Sequence, residues 1–485
     1  MTLPAVRETE IDGALGVVPP NARVLAVVGT SSAGPLNTAV AFGRVTPLVQ
    51  TFGVGPMVEA AARHIARGGV VVCSRSDKTT AGAAGAVALA GTGTSVATFN
   101  SGTEPLDDFE VYVEVVTGGT VGTAGITIQY SVDGGRTLSP VTALGTAVFF
   151  LFPDDGNGAP GVRINFGVGT LVAGDVITCR TTAPKPNGTQ LGAALDALRV
   201  TQIRWELVHI AVPLDTTLFD AIGTAFDAMV AAGKMRAWIG SVRIPTAGES
   251  DATYQGSVST AFAAKATKFG ELCAGACEIT SGVSRRKYLR PVSFAVASEE
   301  ALVDEHIDIA KVTLGPLSSV SITDDTGNPK HHDEFITPGL DDARFTTLRT
   351  WEGRQGVYVS RPRIFSATGS DFQLMAHRRV MNLVRQTTRA YFEERLSSDV
   401  LVDSATGFIL EEEAVEIENG ANARLAAVLG PKKKASAWRV TIARDDNLLS
   451  TSTMHVTERV VPRAYIEFVE LETGFENPAL NVQPV

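Results

Sequence analysis

Residues 342–384 read DARFTTLRTWEGRQGVYVSRPRIFSATGSDFQLMAHRRVMNLV, and residues 396–420 read LSSDVLVDSATGFILEEEAVEIENG. The first run predicts a strand from Gly356 to Ser360 and then a long helix, because its apolar residues recur at helical spacing. The second run predicts a short strand and another helix at about 411–429, with glutamates in the first turn, where the helix dipole favours anions. The end of the chain is therefore predicted to form an α+β domain.

The composition is that of a globular protein with sizeable cores. Of the 485 residues, 44% are hydrophobic and 19% are charged, which is typical of folded soluble domains. The net charge of -10 argues against nucleic-acid binding, which would require a basic face. No apolar run is long enough to span a membrane. The start, MTLPAVRETEIDGALG, lacks the apolar core of a secretory signal.

Strands and helices alternate on both sides of a segment without helical periodicity. Residues 23–29 and 70–74 read as buried strands, and residues 56–67 between them read as a helix. Pro56 suits the first turn of that helix, and Gly68-Gly69 suits its end. The alternation resumes after residue 190 with predicted helices at 190–198, 216–234 and 251–270 and predicted strands at 205–212, 236–245 and 292–298. It predicts a mostly parallel sheet covered by helices on both faces.

Residues 85–187 interrupt this pattern. They are rich in Gly, Thr and Val, and short strand-like runs alternate in them with glycine-containing turns. This alternation of short strand-like runs and turns indicates an inserted all-β, sandwich-like domain. It contains nine acidic and four basic residues, which suits a solvated module on the outer surface.

We therefore predict a multidomain α/β and α+β protein with extended terminal arms. Residues 1–20 contain too few apolar groups for a core of their own, and could add as a strand to a sheet of another subunit or form a frayed end. The predicted segments are an N-terminal arm at 1–20, an α/β core domain at 21–84 and 188–366, the inserted all-β domain at 85–187, a C-terminal α+β domain at 367–472 and a C-terminal arm at 473–485.

The candidate catalytic, cofactor-binding and metal-binding residues do not form a recognisable site in the sequence. VVGTSSAGP at 27–35 lacks the GK[ST] ending of a phosphate-binding loop and the glycine pattern of a dinucleotide site. HHDE at 331–334 places two histidines side by side, where they cannot both face one ion, so we predict an exposed loop. Cys273 and Cys277 are interpreted as buried cysteines on one helical face, because two ligands alone cannot complete a zinc site. The four scattered cysteines suit a reducing cytoplasm. We predict no catalytic residue, no metal, no cofactor and no enzymatic activity.

Charged side chains of the C-terminal domain are the candidate functional residues. They are either contacts to neighbouring subunits or an ordinary solvated helix face with a basic loop. The candidates are Arg378, Arg379, Arg385 and Arg389 on the first helix, Glu411, Glu412 and Glu413 at the start of the second, and Lys432, Lys433 and Lys434 in the turn that follows it.

The sequence of the C-terminal region resembles that of contractile-tail sheath proteins of bacteriophages and related contractile injection systems. The segments that carry this resemblance are RFTTLRT, GVYVSRPRIFS, GSDFQLMAHRRVMNLV, LVDSATGFILEEEA and RDDNLLSTSTM, at 344–350, 356–366, 369–384, 401–414 and 444–454. The resemblance is clearest over about 340–472 and weaker over 21–75 and 190–330.

The resemblance implies a structural subunit that polymerises helically around a tail tube and contracts to drive the tube through a cell envelope. It places the C-terminal domain inside, near the tube, and lets the terminal arms exchange strands between copies. The implied partners are further copies of the chain, the tail tube protein, and baseplate and tail terminator proteins, without nucleic acid or membrane insertion. The implied location is a virion tail assembled in the host bacterial cytoplasm. The alternatives are another structural tail component, such as a tube protein, and a cytoplasmic α/β enzyme with a fused β domain.

Overall fold

The computed structural model describes residues 24–475 except for 101, 155, 157 and 325. Over these residues the chain has a mixed α/β fold, as the sequence predicts, with several sheets and nine α-helices. None of the helices in this part of the chain has the length and apolar character needed to cross a membrane.

The first segment forms two helices between three strands. Its elements are β1 (Val24–Gly29), β2 (Ala39–Phe42), α1 (Val45–Phe52), α2 (Pro56–Ala66) and β3 (Val70–Arg75). Proline suits the first turn of α2 because its missing N–H is not needed there. Gly68 after the helix has φ 85°, a left-handed conformation that glycine adopts without strain, so the chain reverses into β3.

The next segment contains only strands among its described residues. They are β4 (Ala83–Ala84), β5 (Ala88–Ala90), β6 (Ala97–Phe99), β7 (Glu110–Thr117), β8 (Gly119–Thr120), β9 (Thr127–Ser131), β10 (Thr142–Ala143), β11 (Phe149–Leu151), β12 (Arg163–Phe166), β13 (Thr170–Leu171) and β14 (Val176–Thr182). In β7, Val111, Val113 and Val115 are buried while the residues between them are half-buried. This period of two is that of a strand with one covered face.

The following segment returns to alternating helices and strands. Its elements are α3 (Gly188–Val200), β15 (Leu207–Leu214), α4 (Thr216–Ala231), β16 (Ala237–Val242), α5 (Asp251–Phe262), β17 (Gly270–Cys273), β18 (Ala276–Thr280), β19 (Lys287–Pro291) and α6 (Ser293–Leu302). The Asp215 side chain caps α4 by accepting hydrogen bonds from the N–H groups of Thr217 and Leu218, both at 2.9 Å, which satisfies donors that a helix start leaves unpaired.

The last segment contains hairpins and the two longest helices. After a 3₁₀ turn at Val312–Leu314, its elements are β20 (Val320–Ser321), β21 (Leu348–Trp351), β22 (Arg354–Val359), α7 (Met375–Glu393), α8 (Glu411–Leu429), β23 (Ala437–Ile442), α9 (Leu448–Thr451) and β24 (Val456–Val461).

One six-stranded sheet joins parts of the chain that are distant in sequence. Its order is β17-β16-β15-β1-β3-β2. β1 pairs in parallel with β15 and with β3, and β2 alone runs antiparallel. Both faces are buried: Leu25 and Val27 point into one core, Ala26 and Val28 into the other. A strand buried on both faces explains the continuous apolar run of β1.

Several local predictions are wrong. The short strand predicted before α8 does not form among the described residues, where Val402 and Ile409 make only an isolated bridge. The chain turns there instead, since the N–H of Gly407 donates to the carbonyl of Asp403 at 2.8 Å.

Residues 292–298 form most of α6 rather than a strand, because a helix buried on nearly all sides shows no amphipathic pattern. The helix predicted at 251–270 ends at Phe262, and the chain then enters β17. Cys273 and Cys277 are buried and free, as expected, but they lie on β17 and β18 rather than on a helix.

The chain divides into two compact units, Met1–Ala390 and Tyr391–Val485, with the boundary in the last turn of α7. The domain boundaries predicted from the sequence stay predictions. The arm at 1–20 lies outside the described residues. So does the arm at 473–485, apart from its first three residues.

Candidate subunit interfaces

Arg379 is buried inside the first unit. Its side chain is 2% exposed, and its guanidinium contacts the carboxylates of Glu206 at 3.0 Å and Glu300 at 2.9 Å. It also donates to the backbone carbonyls of Glu300 and Val303 at 2.8 and 3.1 Å. Burial alone lowers the pKa of Arg379, but these carboxylates raise it above the ordinary range. Arg379 thus fixes the first turns of α7 on the body of the unit.

Arg378, its neighbour, is also buried but has a different environment. Its guanidinium lies over the rings of Phe269 and Phe372, at 4.6 and 4.8 Å from the ring centroids. Burial, and to a smaller extent the charge of Arg385, lowers the pKa of Arg378 to about 10. Both arginines are therefore integrated into the packing of their own chain, which the sequence prediction did not anticipate.

Arg385 and Arg389 lie further along α7 and are more accessible. Arg385 is half-buried and Arg389 is exposed. Arg389 lies against Gly233, where an added Cβ would collide with its guanidinium. These two positions keep the surface location that an inter-subunit contact needs.

Two glutamates of α8 pair with the same arginine. Glu411 contacts Arg444 at 2.6 Å, and Glu418, seven residues further along the helix, contacts the same guanidinium at 2.7 Å. Arg444 thereby clamps the end of β23 to α8. Glu412 is exposed and Glu413 half-buried, so the start of α8 presents negative charge at the surface of the second unit.

The three lysines follow α8 in a turn. Lys432 and Lys433 are exposed and Lys434 is half-buried. Lys433 has φ 48°, which places it in the left-handed region at the point where the chain reverses towards β23. The turn therefore carries exposed positive charge, as the sequence predicts for a basic loop.

The second unit contains a two-stranded sheet with unequal edges. β23 and β24 pair only with each other among the described residues. Side chains of α8 cover part of the outer edge of β23: Asn422 bonds both the N–H and the C=O of Val440, at 3.1 and 3.2 Å, and Glu418 accepts from the N–H of Ile442 at 2.7 Å. Among the described residues β24 pairs with no strand other than β23, and the outer edge of such a strand carries main-chain groups that can pair with another strand.

The segment after β24 is extended and exposed. The sequence YIEFVELE favours a strand by its alternation, but the strand ends at Val461 and residues 462–475 have no regular structure. Its large apolar side chains are nevertheless exposed: Ile466 86%, Phe468 82%, Val469 70% and Leu471 84%. Contiguous exposed apolar groups of this kind mark interaction sites in soluble proteins.

Close to Arg379 lies a group of buried carboxylates that the sequence did not reveal. Glu271 on β17 and Glu300 on α6 are both 0% exposed. Burial, reinforced by Glu300, raises the pKa of Glu271 well above its ordinary value, with Asp308 adding to and Arg379 opposing the shift. Burial also raises the pKa of Glu300 to about 7, although Arg379 opposes this. One guanidinium is thus shared by more carboxylates than it can neutralise.

Replacing Glu271 with glutamine is expected to flatten the pH dependence of stability. A carboxyl whose pKa is raised on folding stabilises the folded state only at low pH, and that contribution disappears as pH rises from its unfolded pKa through its folded pKa. In this window the wild-type free energy of unfolding should fall by up to about 1.4 kcal/mol per pH unit relative to the variant. Urea unfolding at about pH 4 and about pH 8 measures this difference. Equal pH slopes for the two proteins would contradict it.

The HHDE sequence is not an exposed loop, which corrects the prediction for 331–334. His332 is 2% and Asp333 2% exposed, because the segment folds under the β21–β22 hairpin. His332 contacts Glu334 at 3.1 Å. No cluster of metal-ligating side chains is present in the part of the chain that the structure describes.

Comparison with known proteins identifies the family and the fold. Residues 3–363 match the family described as DUF2586, N-terminal domain. The sequence matches no curated protein. Among solved structures, a chain of the PVC sheath complex, an extracellular contractile injection system in the contracted state, is similar with TM-score 0.53 and 11% identity, covering 99% of each chain.

Two further structures are similar at comparable identity. A chain of the six-fold symmetrised baseplate of the anti-feeding prophage (AFP) has TM-score 0.51 and 10% identity, covering 98% of this chain and 100% of that chain. A sheath tail protein from Listeria innocua has TM-score 0.45 and 11% identity, covering 90% and 94%.

The resemblance to contractile sheath proteins that the sequence predicts is thus confirmed for the fold. Since the family match covers most of its length, the chain belongs to the DUF2586 family, and it shares its fold with the PVC sheath.

Proposed function

We propose that this protein is the repeating subunit of a contractile sheath, which polymerises helically around a tube and shortens to drive the tube through a cell envelope. The observation that carries the proposal is the similarity to the contracted PVC sheath, because it extends over 99% of both chains. The similarity therefore runs through nearly the whole chain rather than through one part of it. The role is structural and needs no catalytic group.

Strand exchange between copies is the proposed means of assembly. The outer edge of β24 offers main-chain groups to a strand from another copy, and residues 1–20 and 473–485 are the proposed donors. Each main-chain hydrogen bond formed in this way contributes a net ~0.5–1.5 kcal/mol. Such a link tolerates rotation of the bodies that it joins, whereas a flat rigid interface would have to break.

Charged side chains supply the second proposed contact between copies. Arg385 and Arg389 on α7, the glutamates at the start of α8 and the turn at 432–434 lie at the surface with opposite signs. Charges at the rim of an interface set orientation and association rate more than affinity. Arg378 and Arg379, which have partners within their own unit, act in this proposal by holding α7 in place.

The proposed partners follow from the same role. Head-to-tail contacts between identical copies generate helical polymers, and a sheath of this kind encloses a tail tube and ends at baseplate and terminator proteins. The similarity to a chain of the AFP baseplate structure supports the baseplate contact. A virion tail or a related injection machine assembled in the bacterial cytoplasm is the proposed location.

Contraction in this proposal draws on the contacts between copies. An extended lattice is metastable, and a contracted one contains more complementary contacts. A gain of ~1–3 kcal/mol per subunit, the usual size of a coupling energy, is sufficient when it is multiplied along a long polymer. A tube-like protein is not favoured, because the long α/β part of the chain exceeds what such a protein needs.

Imaging of the purified protein tests the proposal. The full-length chain is expected to form hollow tubes visible by negative-stain electron microscopy. Removal of residues 1–20 should abolish tubes while the far-ultraviolet circular dichroism and melting temperature of the remaining chain stay unchanged, because the central sheet begins only at Val24. Removal of 473–485 is the matched variant at the other end. Full-length protein that stays monomeric at every concentration, or tubes that persist without both arms, would refute strand exchange.

A further inference from the structure

The β21–β22 hairpin and the turn at 333–337 together carry an exposed aromatic and cationic surface. We call it the Trp351 patch and define it by Phe335, Ile336, Arg349, Trp351 and Arg354. Phe335 is 48%, Ile336 55% and Trp351 36% exposed. Large apolar side chains so exposed at adjacent positions are unusual on a soluble protein unless they contact a partner.

The patch is rigid because its two parts share one buried acidic residue. Asp333, 2% exposed, accepts from the N–H of Phe335 at 3.0 Å and from the N–H of Thr350 at 2.9 Å. It also accepts from the hydroxyl of Thr350. The turn and the strand are therefore held in a single arrangement before any partner arrives, which reduces the entropy lost on binding.

Stacking holds the central arginine. The guanidinium of Arg349 lies 3.7 Å from the centroid of Trp351 and 6.0 Å from that of Phe335. Its Nε is buried and has no hydrogen-bond partner among the described residues. Arg354 pairs with Trp351 across the hairpin and is exposed. Within the described residues, neither guanidinium is neutralised by a carboxylate.

We propose that the Trp351 patch is a docking surface for an acidic face of a second copy of this chain. This proposal deepens the sheath function and rests on it for the expectation that copies meet head to tail. Trp and Arg clustered in this way are the residues most enriched among those that dominate interface energies. The patch is therefore the anchor, and the surrounding polar surface excludes water from it.

The opposite charges of the patch and of the chain as a whole favour a second copy as the binding partner of the patch. The chain carries a net charge of -10, and the exposed Glu412 and the half-buried Glu413 present negative charge at the start of α8. The patch has two arginines and one exposed acidic residue, Glu352, so it is complementary in charge to an acidic face of another copy. Asp333 and Glu334 in the same turn are buried and half-buried, and both accept hydrogen bonds within the chain. The contact is heterologous, since a basic patch meets an acidic face, and such contacts propagate into filaments.

Two variants of the full-length chain test the proposal: Trp351→Ala removes the aromatic anchor, and Arg354→Glu reverses an exposed charge. Sedimentation over a concentration series gives the self-association constant whatever the size of the oligomer. Each variant is expected to weaken it on the order of 10- to 30-fold, the usual loss at a dominant interface residue. For the wild type, added salt should weaken association in the same direction, because an electrostatic contact is screened.

Matched controls separate the patch from general effects. Phe149→Ala removes another exposed ring that also lies under an arginine, Arg163, at 4.0 Å. Arg285→Glu makes the same charge change at another exposed position. Both should associate like the wild type. Unchanged association of Trp351→Ala and Arg354→Glu, or equal losses in the controls, would overturn the proposal.

The outcomes also separate this proposal from the sheath function. If tubes form from the patch variants at the wild-type association constant, the sheath stands and the patch has no role. If the wild type forms only small oligomers that Trp351→Ala dissociates, the patch is an interface and the sheath function fails. A wild-type chain that does not self-associate at all would overturn both.

Discussion

Replacing Arg290 with methionine is expected to lower the free energy of unfolding of the first unit by about 3–5 kcal/mol, the usual cost of leaving a buried charge without its partner. Arg290 is 2% exposed and Asp107 1%, and the guanidinium holds both carboxylate oxygens of Asp107 at 2.7 and 2.8 Å. Burial raises the pKa of Asp107 to about 7 even with Arg290 present. Without the arginine, Asp107 and the nearby Glu59 would both be uncompensated. Chemical denaturation monitored by circular dichroism measures the loss.

The double variant Arg290→Met/Asp107→Leu is the control for this prediction. Removing both charges leaves an apolar contact of similar size, and such replacements of buried ion pairs are often neutral or stabilising. The double variant should therefore recover the part of the stability loss that comes from the unpaired Asp107, while Glu59 stays without the arginine. If single and double variants are equally destabilised, the loss comes from Glu59 or from packing around Arg290 rather than from Asp107.

Replacing Arg379 with methionine is expected to have a similar effect, about 3–5 kcal/mol. The variant would leave Glu300 buried without its cation and would remove the hydrogen bonds to the carbonyls at 300 and 303 that hold the start of α7. Because the carboxylates would then favour their neutral forms, the loss should be larger at about pH 8 than at about pH 5. Urea denaturation at the two pH values tests both parts of this prediction.

Arg378→Met is the matched control, one position away on the same helix. Arg378 is equally buried, but it lies on two phenylalanine rings, and its Nε and one terminal nitrogen have no hydrogen-bond partner among the described residues. Methionine can occupy this aromatic site without an unpaired charge, so a change within about 1.5 kcal/mol is expected. A large loss for Arg378→Met with little loss for Arg379→Met would contradict our account of α7.

The sequence predicted those elements whose signals are local. The helix beginning at Pro56 and the one at Glu411–Leu429 carry their own start and stop residues, and both lie where expected. The buried strand β1 is recognisable from its apolar run alone. The family resemblance rests on sequence segments in the C-terminal region, and it predicted the fold that the solved structures share.

The failures concern features that depend on contacts between distant residues. The segment 292–298 is apolar enough for a strand or for a buried helix, and periodicity cannot separate the two. Arg379 is charged and lies on a helix, so a surface position was the natural expectation. Its partners Glu206 and Glu300 are far away in the sequence. The Trp351 patch likewise requires a turn and a hairpin that only the folded chain brings together.

The unequal edges of the two-stranded sheet imply an order of events under the proposed strand exchange. Asn422 and Glu418 occupy part of the β23 edge. Strands from other copies would therefore add one after another at the β24 edge. The first arrival pairs with the protein itself, and any later one pairs with the strand that came before it. This order of addition is obligatory, so each copy would become competent to accept its next neighbour only after the previous one is bound.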